Sequence, residues 1–192
     1  MRTVRLIQLS GLAAVVGGTL RIVTSFVPAG PGAGIELVYL AVDLLLLLGL
    51  LGIYTDEHEH AGRTGFLGFL LATAGIASIV GPDGYLGVVP MYPAGSLVFS
   101  VGLCLLAVGV WRGRALPRVV PVLWSATAVL GVGGSLARQP ALVATAGVLL
   151  GLAFALAGLR MAHRLTRDQP RPEPAGTGFG ATRDSSGSAL GR

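Results

Sequence analysis

Two carboxylates and one arginine stand in apolar runs where charge is costly. Glu36 and Asp43 lie in GIELVYLAVDLLLLLGLLGIY, residues 34–54, and Arg21 lies in the apolar run before it. A charge in such a setting asks for a partner or a purpose. At 1.5 Å of rise per residue, Asp43 falls about 12 Å below a boundary near Ile35, and Arg21 about 9 Å below one near Val27. Two antiparallel helices joined by the glycine- and proline-rich linker 28–34 would bring Arg21 and Asp43 to similar depth, with Glu36 above them as a second acceptor for the guanidinium fork. Tyr39 shares their face, because 36, 39 and 43 follow i, i+3, i+7 spacing. The cluster Arg21, Glu36, Tyr39 and Asp43 can bind a cation or relay protons, or it can simply pin the first helix to the second. Pinning is the preferred reading. Breaking a buried pair costs about 3–5 kcal/mol, which suffices for a structural role, and no ionisable residue lies deep in the later apolar runs.

A second candidate is Asp56-Glu57-His58-Glu59-His60. Imidazole and carboxylate ligate zinc well, but His58 and His60 are two apart and lack the i, i+4 spacing of a helical HExxH site. They are weak metal candidates, with His163 as the one further histidine, and the segment is read as a solvated loop. Neither a metal nor a cofactor is expected. Nucleophilic catalysis has less support still. Ser25 and Ser135 have no histidine in the apolar runs to activate them, and Cys104 has no base near it in the sequence. The chain carries no phosphate-binding or dinucleotide-binding motif, and an enzyme is not expected.

Composition says what must hold these residues. Of 192 residues, 53% are hydrophobic and 12% charged, and mean hydropathy is +0.75. Soluble domains carry about 25% charged residues, so the chain reads as an integral membrane protein. Its 30 glycines fit helices that approach one another closely in lipid. Cys104 is the single cysteine, which excludes an internal disulfide. A net charge of +5 does not point to nucleic acid here, because the basic residues are all arginines gathered at the ends of apolar runs. The absence of lysine suggests GC-rich coding and a bacterial source.

Six apolar runs are long enough, or nearly so, to cross a bilayer: 6–27, 35–54, 65–80, 95–111, 119–136 and 141–162. The expected fold is an all-α integral membrane protein, a six-transmembrane-helix bundle over residues 1–165 with short loops. Residues 166–192, rich in Pro, Gly and Ser, should form a disordered cytoplasmic tail. The first run resembles a signal peptide, but Arg21 and Pro28 sit badly for cleavage, and retention is favoured. Its small residues, Ser10, Gly11, Ala14, Gly17 and Gly18, share a face with Arg21 and should meet other helices. Leu9, Leu12, Val16, Leu20, Val23 and Val27 should meet lipid. Gly95, Gly102 and Gly109 recur at heptads, and Ala144, Gly147, Gly151, Ala155 and Gly158 form another small stripe. Both are read as close packing.

Six crossings put both termini on one side. That side receives Arg2, Arg5, Arg63, Arg112, Arg114, Arg118, Arg160, Arg164 and Arg167, and the other only Arg138 with Arg21 nearby. The positive-inside rule then makes both termini cytoplasmic in a multi-pass cell-membrane protein. Trp111 and Trp124 are expected in the cytoplasmic aromatic belt. The expected role is that of a structural or interaction component, with the lipid bilayer and either a membrane-protein partner or a homo-oligomer around it. The alternative is a small transporter or channel using Glu36, Asp43 and Arg21.

Overall fold

A computed structural model describes residues 2–27, 33–79, 85–86, 89–112 and 116–167. Five helices lie among them: α1 (Arg2–Thr24), α2 (Ala33–Ile79), α3 (Met91–Arg112), α4 (Val119–Leu136) and α5 (Pro140–Arg167). All five are long and apolar enough to cross a membrane. Before α3, strands β1 (Tyr85–Leu86) and β2 (Val89–Pro90) pair antiparallel, with Tyr85 opposite Pro90.

Five helices replace the expected six, because the segment read as a loop after Tyr54 is helical and joins the second and third runs into one 47-residue element. The reason is local. TDEHEHA holds no glycine or proline, so nothing in it opposes continuation of the helix. The break comes at Gly62, whose φ of 58° and ψ of −165° occupy a region essentially reserved for glycine. Tyr54 stacks on Phe69 with ring centroids 4.3 Å apart and planes 13° off parallel, and it also meets Phe66 at 6.1 Å. Along a straight helix Tyr54 and Phe69 would stand about 22 Å apart. The limbs 33–61 and 63–79 therefore fold back on one another at Gly62.

Small residues set the packing of the remaining pairs. Gly17 abuts Leu45, Gly49 abuts Ala14 and Gly52 abuts Ser10, which lays α1 antiparallel to the first limb of α2. A Cβ on Gly18 would strike the Gly151 carbonyl and one on Gly151 the Gly18 carbonyl; Gly11 and Gly158 are related in the same way. Those two reciprocal contacts, one heptad apart, seat α1 antiparallel on α5. The second limb of α2 meets α3 through Gly65 against Gly109, Gly68 against Gly102 and Gly75 against Phe99. Gly134 against Leu142, together with the tilted ring pair Trp124–Phe154, joins α4 to α5. Consecutive segments thus alternate in direction, and α5 closes on α1. The start of α1 and the end of α5 lie at the same end of the bundle.

The small face of α1 points inward as the periodicity indicated: Ser10, Gly11, Ala14, Gly17 and Gly18 are buried, while Leu9, Leu12, Val16, Val23 and Val27 are exposed; Leu20, expected to meet lipid, is instead partly buried and packs against the core. Trp124 departs from the expectation. Its side chain is 0% exposed and belongs to the core, whereas Trp111 is 51% exposed. Helix α3 begins at Met91 and α5 runs to Arg167, both beyond the expected spans. The linker 28–32 and the tail from 168 lie outside the described residues.

Candidate functional site

The hairpin of α1 and the first limb of α2 positions most of the residues singled out by type. Its register, with Gly17 against Leu45 and Tyr39 against Thr24, puts Arg21 level with the turn that carries Asp43. The Tyr39 hydroxyl donates to the Thr24 carbonyl over 3.4 Å and ties the two helices near their connection. Asp43 is half-buried and lies within electrostatic reach of Arg21. Arg21 Nε is buried without a hydrogen-bond partner, on the side of α1 that faces Gly147 of α5. Ser25 Oγ and Thr24 Oγ1 donate to the Arg21 carbonyl at 2.8 and 3.1 Å, adding to the backbone N–H of Ser25 that it already accepts at 3.1 Å.

Glu36 is apart from this group. It is exposed and stands in the first turn of α2. There its charge complements the positive end of the helix dipole, just as Arg21 complements the negative end of α1. Arg21, Tyr39 and Asp43 are thus brought together, and Glu36 is left at the rim.

The histidine segment forms the last turns of the first limb of α2. His58, Glu59 and His60 are exposed, and His58 Nδ1 is 2.8 Å from the Thr55 carbonyl of its own helix. No group of three His, Cys, Asp or Glu side chains close enough for a metal occurs among the described residues. The unexpected residue is Glu57, which is 0% exposed. Both of its oxygens are enclosed, and the side chain is engaged within the fold, as are Asp56 and His163. A signal for it existed in the sequence. The buried positions Val42, Leu46, Leu50, Ile53, Glu57 and Ala61 recur every three or four residues, so the core-facing stripe runs straight through the polar segment.

Between Asp43 and Glu57, about 21 Å of helix apart, Leu46, Leu50 and Ile53 pack in one cluster with Leu103, Leu106, Val110 and Phe154. Surface grooves among the described residues lie elsewhere. One lies between α3 and α4, and another is lined by Phe26 and the first turns of α5. Cys104 is a half-buried free thiol on α3. Compared with known proteins, the chain matches no protein-family model, no curated relative and no solved structure.

Proposed function

We propose that this chain is a non-enzymatic, multi-pass membrane protein that acts as a structural or interaction component, either self-associating or seated beside another membrane protein. Its helical segments cross a bacterial cell membrane six times, α2 twice, with both termini cytoplasmic. The observation that carries the reading is the apolar cluster of Leu46, Leu50, Ile53, Leu103, Leu106 and Phe154, which fills the interior between Asp43 and Glu57. A transport route would need polar groups there. The six-crossing topology draws support from the reversal at Gly62. Orientation draws support from exposed Arg63, Arg112, Arg118 and Arg160, which gather at the end shared by the start of α1 and the end of α5.

A second reading rests on one observation. Asp43 is a half-buried carboxylate beside Arg21, and it supports the alternative of a small transporter or channel that uses Asp43, Arg21 and Glu36 to bind a cation or relay protons. Proteoliposome flux separates the two. The interaction reading expects proton and cation flux at the level of empty vesicles. Flux that Asp43→Asn or Arg21→Gln abolishes, in protein that remains folded, would overturn it in favour of transport.

A further inference from the structure

The groove between α3 and α4 has a volume of about 610 Å³ and is lined by apolar side chains that include Val108 and Trp111 of α3 and Pro121, Val122, Ala126 and Val129 of α4. That volume falls within the range of sites for small ligands. Its origin is in the sequence. The glycines of α3, at 95, 102 and 109, face the second limb of α2, so the side of α3 that lines the groove carries Ala107, Val108 and Trp111 instead. Ser125 and Trp111 bring the polar side-chain atoms of the lining, and the Ser125 hydroxyl already donates to the Pro121 carbonyl at 3.0 Å. The groove is therefore apolar along most of its length. From Pro121 to Leu130 it extends about 13 Å along the helix axis.

Its mouth differs in kind. Trp111 is exposed beside Arg112, the last residue of α3, and exposed Arg118 immediately precedes α4. Arg112 lies one helical turn beyond Val108 and Arg118 one turn before Val122, so both arginines and the positive end of the α4 dipole stand at the same end of the apolar slot. An occupant must carry a long apolar chain and a negative head. We infer that the α3/α4 groove is a binding site for an anionic phospholipid, one acyl chain lying along Val108, Val122 and Val129 and the headgroup phosphate held by Arg112 and Arg118. Arginine suits the phosphate through paired N–H donors, and basic sites between helices on the cytoplasmic side recognise such headgroups in membrane proteins generally. The inference rests on the membrane placement proposed above.

Trp111 is the reporter, and Trp124, enclosed in the core, contributes a constant background. The wild-type protein is placed in phosphatidylcholine vesicles containing either brominated-chain phosphatidylglycerol or brominated-chain phosphatidylcholine, and flotation with the vesicles independently reports insertion. The expected result is preferential quenching by the phosphatidylglycerol, equivalent to at least a fivefold tighter association, about what one arginine contributes. In Arg112→Gln/Arg118→Gln, at two exposed positions, the preference should fall toward one while quenching by the zwitterionic lipid persists. Equal quenching by both lipids in wild type overturns the site and leaves membrane insertion standing. Inserted protein that neither lipid quenches also overturns it, because a second copy or another chain then covers the groove. Failure to float would instead remove the membrane placement itself.

Discussion

The two ends of the first limb of α2 carry acids of opposite fate. At one end, Asp43 lies among leucines yet is only half-buried, and Glu36 is exposed. At the other, Glu57 lies in the polar run DEHEH and is wholly enclosed. Hydropathy of the neighbourhood therefore fails to order the three. Helical register does order them, since Glu57 continues the stripe of Leu46, Leu50 and Ile53, whereas Glu36 precedes it and Asp43 stands one residue beyond Val42 at its edge. A carboxylate at the edge of the core-facing stripe and a carboxylate within it are different problems, and the chain solves them differently.

Glu57→Ala is the harshest way to break this contrast. It removes an engaged carboxylate from a closed site and leaves both a cavity and the groups that faced it, at a cost of about 3 kcal/mol. Glu59→Ala, two residues on at an exposed position, is the control and should leave stability unchanged. Unfolding of the purified protein by SDS titration measures both. Equal midpoints for the two variants would mean that Glu57 is not held as described. Gly62→Ala comes next, at about 1–3 kcal/mol, because a Cβ at φ 58° and ψ −165° is strained even though nothing crowds it. A midpoint equal to wild type would imply that the reversal between the limbs does not need this backbone geometry.

Much of the packing was legible because small-residue stripes encode close approach directly. Gly11 and Gly18 on α1, Gly147, Gly151 and Gly158 on α5, and the heptad glycines of α3 face neighbouring helices as their spacing indicated. The helical character of residues 55–61 was hidden because charge suggested a loop, although the segment contains no residue that stops a helix. Glu57 was hidden for the same reason. Its burial could be read only by extending the stripe past Tyr54. Trp124 was hidden because a tryptophan near a helix end fits both an interfacial belt and a core, and only its contact with Phe154 on α5 decides between them. The level of Arg21 with Asp43 follows from counting residues across the connection. What counting could not supply is that Arg21 Nε would find no hydrogen bond there.

Asp43 sharpens the comparison at intermediate strength. Its link to Arg21 is a charge interaction at a half-buried position, so its worth should be read as a coupling and not from one substitution alone. A double-mutant cycle of Asp43→Asn with Arg21→Gln should return about 1 kcal/mol, below the cost of Glu57→Ala. Coupling within error of zero would leave Tyr39 and the glycine contacts to hold the hairpin, and Tyr39→Phe should then be the more damaging change.

Glu36→Gln should have the smallest effect of the set. If the exposed carboxylate serves the first turn of α2, its loss removes only a dipole interaction, a few tenths of a kcal/mol that vanishes as salt is raised. If it instead completes the Arg21–Asp43 group, the loss should rival that of Asp43→Asn and resist salt, because a sheltered pair is screened far less than a surface charge. Comparing the two variants at low and high ionic strength therefore tells a helix-terminal charge from a member of the cluster. The exposure of Glu36 and the half-burial of Asp43 predict salt sensitivity for the first and its absence for the second.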